Sequence, residues 1–345
     1  MAKKLISVWL SLTILIISSF SIYAYADSGV VQGDYLLKDI VINGENIVNY
    51  KLSDPIVSYN NYIYIPLDET MGQILGISAS MDTESRTVYI TKTTPQAVDF
   101  GSRAVANNLD DISMAVDSAK VYVVSDENNG QAIALDLTGC PVLVKDSIVY
   151  VPINAIVSSG ALGWSLYWDG YSGAIISTQS EISAASYFDA ADSAYKAGLT
   201  AYIRKQNPKL SQYYAQTMME YFRNYSEMYG IDEELMMAMA ECESTFNTSL
   251  KNSHGCYGLM QIKASTGALY GYSASQLLNM KPAINTSVLI MRHNLDMFGG
   301  NVTKAVTAYN YGEYAVKRGS YKLGYYNKVV KKLNNIISYA SSYSL

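Results

Sequence analysis

At 345 residues the chain can form two or three domains of roughly 100–150 residues each, and a hydrophobic content of 49% excludes a mainly disordered polypeptide. The net charge of −5 is uneven: residues 27–207 carry −11 and residues 208–345 carry +4, so the two parts should meet different partners. The basic C-terminal part favours approach to an anionic polymer, and no nucleic-acid partner is expected. Tyrosine is abundant, 31 residues against 6 Phe and 3 Trp, and an apolar ring with a polar tip suits a carbohydrate-facing cleft as well as a solvated surface.

Residues 1–26 read as a secretory signal peptide. Lys3 and Lys4 precede the apolar Leu5–Ile17 run, and Ala24-Tyr25-Ala26 supplies a small-x-small cleavage site. The run Leu5–Ile22 is also long enough for an uncleaved anchor. Either reading places the remainder outside the cytoplasm, secreted or associated with the cell surface or wall. Cys140, Cys242 and Cys256 are an odd set, so no fully paired disulfide framework can form. Cys242 and Cys256 could bridge or remain buried thiols.

Between Ile40 and Thr178 short β-branched and aromatic runs alternate with turn residues, and one order of elements occurs twice. Tyr62–Leu67 leads through a helical stretch near Thr70–Leu75 to Gly76, Met81-Asp82 and the strand Thr87–Thr91. Ile148–Ile153 leads through Asn154–Ser158 to Gly163, Trp168-Asp169 and Ala174–Ser177. Pro66 to Ile90 and Pro152 to Ile176 both span 24 residues, which indicates a duplicated α+β unit with repeats at about 40–92 and 113–178. The Y-I-P-L and Y-V-P-I segments and the two Asp-containing pairs resemble the copper amine oxidase N-terminal-like domain of Gram-positive surface proteins. That resemblance implies a stalk, wall-binding or self-association module over 27–178. Copper is not expected, because residues 27–253 contain no histidine and the two in the chain are His254 and His293.

Residues 179–207 read as a linker and helix, and helical composition dominates thereafter. Helices are expected over Ala184–Lys205, Gln212–Met228, Asp232–Ser244, Ala283–Met297, Val302–Tyr309 and Tyr325–Tyr339, with Gly230 ending one and Asp232 capping the next. The fold class is therefore multi-domain α+β: a duplicated α+β module followed by an all-α domain over 208–345. In Asp232–Ser244 the residues Leu235, Met239, Cys242 and Phe246 make one apolar stripe. Glu243 borders it, while Glu241 lies about 200° round the helix and should face water. A partly desolvated Glu243 would keep its proton for a leaving group.

Four ordered segments, Glu243-Ser244-x-Phe246-Asn247, Gly255-x-x-Gly258-Leu259-Met260-Gln261-Ile262, Ala308-Tyr309-Asn310-x-Gly312 and a late tyrosine segment from Tyr326 to Val329, resemble the soluble lytic transglycosylase family of the lysozyme-like superfamily. Asn285 matches an Asn that the family places at the start of a long helix. The resemblance covers roughly 212–335 and implies a lysozyme-like fold acting on peptidoglycan. It implies that Glu243 is the sole acid/base and that Met260, Gln261, Tyr309 and Asn310 line the sugar cleft. Ser244 would support the Glu or brace backbone, Gly258 would shape the turn, and Tyr326 would close the other side. Asn252 stands where the family usually offers Ser, which puts that contact in doubt, and His254 beside it could add pH sensitivity.

The 52 residues after Glu243 contain no Asp or Glu, which disfavours a two-carboxylate hydrolase drawing on adjacent loops. The resemblance implies instead cleavage of the MurNAc–GlcNAc β-1,4 bond with 1,6-anhydro-MurNAc formation, without metal or organic cofactor. Two alternatives stay open: a muramidase- or chitinase-like hydrolase using Glu313 or Asp296, and a non-catalytic wall-binding surface protein.

Overall fold

The structure is a computed structural model that describes residues 29–125 and 130–344. The signal-peptide reading falls on residues 1–26 and lies outside the described residues. No described helix is long and apolar enough to cross a membrane.

Among the described residues the first half contains fourteen strands and two α-helices in two copies of one pattern. The first copy is β1 (Val30–Tyr35), β2 (Ile40–Ile42), β3 (Glu45–Asn46), β4 (Val57–Tyr59), β5 (Tyr62–Pro66), α1 (Glu69–Leu75), β6 (Ile77–Asp82) and β7 (Thr87–Lys92). The second is β8 (Ile112–Asp117), β9 (Lys120–Val124), β10 (Ala132–Ala134), β11 (Val142–Lys145), β12 (Ile148–Pro152), α2 (Ile153–Ser158), β13 (Ser165–Asp169) and β14 (Gly173–Ser177). The repeat thus begins about ten residues before the Ile40 read from the sequence.

Matching turn chemistry builds matching hairpins. Asn60-Asn61 and Asp146-Ser147 both hold two successive positive φ angles, as a two-residue hairpin turn requires. Asp82 accepts from the backbone N–H of Glu84 at 3.0 Å and Ser85 at 3.4 Å, while Asp169 accepts from Tyr171 at 2.9 Å and Ser172 at 2.8 Å. The recurring Asp therefore closes a turn in each copy.

The copies are interlocked. A closed barrel runs β1-β4-β5-β12-β11-β8, and β5 meets β12 in antiparallel register with Ile65 opposite Val151. Tyr64 and Tyr150, from the two Y-x-P segments, are fully buried in the barrel. The two outer sheets exchange strands: β9 of the second copy lies parallel to β7 of the first, and β2 of the first lies parallel to β14 of the second.

The second half is helical: α3 (Ala190–Gln206), α4 (Gln212–Met228), α5 (Glu233–Ser244), α6 (Ala264–Leu269), α7 (Met280–Met297), α8 (Val302–Tyr311), α9 (Glu313–Lys317) and α10 (Gly324–Ser341). A two-stranded ribbon, β15 (Cys256–Tyr257) with β16 (Ile262–Lys263), departs from the all-α expectation. Ser211 caps α4 by accepting from the Tyr214 N–H at 3.1 Å. Helix α3, in the segment read as linker and helix, contributes Leu199, Tyr202 and Ile203 to the helical core.

Helix α5 runs through the middle of this core, with every residue from Leu235 to Glu241 buried. That overturns the expectation of a wet face at Glu241. Its side chain is 1% exposed, accepting the Lys332 ammonium at 2.5 Å and the Tyr202 hydroxyl at 3.0 Å.

The halves are docked rather than strung apart. Tyr35, Tyr50 and Leu109 of the module belong to the helical core. Asp39 binds Lys196 at 2.5 Å and Arg223 at 3.2 Å, and Lys38 pairs with Glu220 at 2.6 Å. Lys281, at the start of α7, pairs with Asp110 at 2.6 Å, and Asn285 on the same helix reaches Asn108 at 3.4 Å.

Candidate active site

A cleft of about 560 Å³ opens at the C-terminal end of α5 and is walled by the 252–263 loop, α6, the end of α7 and the α8–α9 corner. Glu243, Asn252, Gln261, Tyr309 and Asn310 line it together. They are separated by up to 67 positions in sequence, and three local devices converge them.

The first device is the end of α5. Thr245 and Phe246 both adopt left-handed φ, at 54° and 57°, so the helix stops immediately after Glu243-Ser244. Fully buried Phe246 pins the reversal, and Asn207 donates to its carbonyl at 3.0 Å. Ser244 is buried and donates to the Leu259 carbonyl at 2.7 Å, so it braces the loop and does not line the cleft.

The second device is the loop itself. Gly258 has φ of 74°, and a Cβ there would collide with the Leu277 carbonyl oxygen. Glycine is required for that close approach as well as for the φ. Gln261, at φ 46°, donates to the carbonyls of Gly258 at 2.9 Å and Leu250 at 3.1 Å while accepting from Asn252 at 3.1 Å. Asn252 also accepts from the N–H groups of His254 at 2.9 Å and Cys256 at 3.0 Å. In place of the usual Ser, this Asn laces the loop together along the cleft wall.

The third device is the Tyr309 hydroxyl, which donates to the Met260 carbonyl at 3.0 Å and ties α8 to the loop. The Met260 side chain, expected in the cleft, is fully buried core and does not line it. Asn310 is exposed at the rim.

Glu243 is half-buried, and burial pushes its carboxyl above the ordinary 4.5, opposed by a hydrogen bond from Tyr325 at 2.6 Å. Burial first, and then the Glu243 charge, raise the Tyr309 and Tyr325 hydroxyls well above their usual range, so both remain donors. The tyrosine on Glu243 is Tyr325, while Tyr326, expected to close the other side of the cleft, is not among the residues that line it. On α10, Tyr325 shares a stripe with the buried Val329, Ile336 and Ala340 at spacings of 4, 7 and 4, whereas Tyr326 is rotated by about 100°. That spacing is the signal that could have selected Tyr325.

Sequence reading also missed Lys332, seven residues and two turns beyond Tyr325. Its ion pair with Glu241 holds α10 against α5. Of the other cleft carboxylates considered, Glu313 lines the wall and meets His293 at 3.3 Å, while Asp296 pairs with Arg292 at 2.5 Å away from the lining. Both histidines of the chain, His254 and His293, face this cleft. Cys140, Cys242 and Cys256 are all free thiols.

Comparison with known proteins divides the chain along the same lines. The Transglycosylase SLT domain model matches residues 220–332, and the Copper amine oxidase N-terminal domain model matches 41–177. The soluble lytic murein transglycosylase of Escherichia coli K12 is 32% identical over 99 residues, covering 26% of this chain and 15% of that protein. The transglycosylase of Enterobacteria phage PRD1 is 28% identical over 109 residues, covering 32% and 40%. This chain therefore spans less than half the length of either curated relative. The crystal structure of the 70 kDa soluble lytic transglycosylase from E. coli aligns with a TM-score of 0.30 at 20% identity, covering 44% of this chain and 28% of that one.

The name of the N-terminal family implies copper, but residues 27–253 hold no imidazole to ligate it. Among the described residues no group of three or more His, Cys, Asp and Glu side chains could hold a metal ion. The chain thus matches the Copper amine oxidase N-terminal domain over 41–177 and the Transglycosylase SLT domain over 220–332.

Proposed function

We propose that the protein is an exported peptidoglycan lytic transglycosylase in which Glu243 alone serves as acid and then base. The observation that carries this reading is one half-buried carboxyl in a cleft, raised by desolvation and oriented by Tyr325 at 2.6 Å. A raised pKa favours the protonated carboxyl, the form that can donate to a leaving oxygen.

Glu243 gives its proton to the oxygen bridging MurNAc C1 and the next GlcNAc. The C1–O bond breaks, and the acetamido group of the same MurNAc eases the positive charge at C1. The resulting carboxylate takes the proton of the C6 hydroxyl, whose oxygen closes onto C1 as the 1,6-anhydro ring, and Glu243 ends protonated as it began. No water is consumed. The intramolecular nucleophile replaces activated water through an effective molarity on the order of 10⁵ M or more. Gln261 and Asn252 line one wall of the cleft and Tyr309 and Asn310 the other, and these side chains would meet the sugar's polar groups.

Glu313 supports a second reading, because it lines the same cleft and could position a hydrolytic water. Mass spectrometry of muropeptides released from purified sacculi separates the two. Anhydro ends, one water lighter than reducing ends, are expected from the wild type and not from Glu243→Gln. Reducing ends would transfer the assignment to a hydrolase, and undiminished digestion by Glu243→Gln would remove Glu243 from the chemistry.

A further inference from the structure

We infer that the seam between the module and the helical domain is a second glycan-binding groove, holding a β-1,4-linked N-acetylhexosamine strand against Trp168 and Tyr213. The inference rests on the glycan-cleaving reading for its choice of ligand, and on a different part of the molecule for its geometry.

A groove of about 530 Å³ runs between the β4–β5 hairpin, the start of α2, β13 and the first turn of α4. Through Asp34, Leu36, Lys38, Ser58 and Tyr213 it is continuous with a further 400 Å³ along α4. Such a trench accommodates a chain rather than a single small molecule. Two large aromatic side chains stand open along it, Trp168 at 46% and Tyr213 at 78% exposure, one from each domain. Aromatic rings facing water offer flat apolar platforms to the C–H faces of pyranose rings while leaving sugar hydroxyls solvated.

Amides line the groove beside the rings. Asn60 and Asn61 form the hairpin tip, and Asn154 carries a buried side-chain oxygen without a hydrogen-bond partner among the described residues. A buried acceptor of this kind is stabilised by an incoming N–H or O–H donor, which an acetamido sugar supplies.

The charges select the polymer. Lys38, the cation common to both stretches, is already paired with Glu220 at 2.6 Å, while Asp34 and Asp111 leave carboxylates along the α4 stretch. Carboxylates accept from sugar hydroxyls and repel phosphodiester chains, so an uncharged sugar backbone is favoured over an anionic wall polymer. The floor is fixed: Gln216 donates to the Gly170 carbonyl at 2.5 Å, Lys38 to the same oxygen at 2.6 Å, and Gln212 to the Tyr171 hydroxyl at 2.6 Å. The groove is thus preformed, and a second hold on a long strand raises the effective concentration of that strand at the Glu243 cleft.

The test uses the Glu243→Gln protein, which binds without turnover. Co-sedimentation with purified sacculi, stripped of covalently attached phosphate polymers, is compared with the variant that also carries Trp168→Ala and Tyr213→Ala. Affinity is expected to fall about tenfold or more with both rings removed. Titration with an N-acetylglucosamine hexamer should change the tryptophan fluorescence of the Glu243→Gln protein. Trp164 is buried and Trp9 precedes the expected cleavage site, so the change should vanish with Trp168→Ala. Equal sedimentation of the two proteins, loss of binding on stripping, or an unaltered fluorescence response after Trp168→Ala would each overturn the inference. Failure of the Glu243 chemistry would appear separately, as absence of anhydro products from the wild type while binding persists.

Discussion

Replacing Lys332 with Met strips the counter-charge from a carboxylate that is 1% exposed. Glu241 would keep only the neutral Tyr202 hydroxyl at 3.0 Å. Removing one member of a buried ion pair costs about 3–5 kcal/mol, and because Lys332 is itself 38% exposed, about 2–3 kcal/mol is expected here. For a domain of this size that corresponds to a fall in melting temperature of roughly 4–12 °C. Glu241→Leu combined with Lys332→Met removes both charges together and should recover about 1–2 kcal/mol relative to the sum of the single changes. Urea unfolding followed by circular dichroism measures all four proteins of the cycle. Lys332 lies two turns beyond Tyr325 on α10, so muropeptide release by Lys332→Met should fall even at temperatures where the protein stays folded. An unchanged unfolding midpoint, or strict additivity in the cycle, would refute the idea that this pair clamps α10 against α5.

Tyr325→Phe removes a hydrogen bond that favours the Glu243 carboxylate, so the Glu243 pKa should rise further. The alkaline limb of kcat/KM should move to higher pH while the rate falls roughly tenfold or more, which a pH–rate profile would detect. Glu243→Gln should melt higher than the wild type near pH 7–8. The native carboxyl holds a proton that the unfolded chain releases above its ordinary 4.5, so stability declines as pH rises from there through the folded-state value. Calorimetry at pH 4 and pH 8 should show the advantage closing at the lower pH. Gly258→Ala should cost about 3 kcal/mol or more, from the positive φ and the collision with the Leu277 carbonyl, and abolish activity by shifting Gln261. Lys196→Met leaves Asp39 and Asp192 without an ammonium that reaches each at 2.5 Å, and should speed proteolysis within 179–189.

Much of the fold was legible because its signals are local. Helix α4 occupies Gln212–Met228 as read, since Ser211 caps it and Gly230 follows its end. The duplication was visible in Tyr-x-Pro spacing and in the paired Asp turns. The strand exchange was not, because nothing in Ile40–Ile42 states which neighbour it will join. At the cleft, Glu243 was reachable through motif order, whereas Glu241 was misplaced because a helical wheel assumes one wet face and α5 has none over Leu235–Glu241. Tyr325 was missed by one residue because the late motif was read linearly rather than along the Val329–Ile336 stripe. Helices α6 and α9, of 6 and 5 residues, are too short for periodicity to declare them.

The strand exchange also sets how the module responds to tension. Near the start of the chain β2 runs parallel to β14, with Ile40 opposite Ala174 and Ile42 opposite Ile176. Parallel strands drawn from the leading end of one and the trailing end of the other slide lengthwise, so their cross-links resist in concert instead of opening one after another like a zipper. Traction between β2 and the helical domain that follows β14 meets this clamp in its stiffest direction.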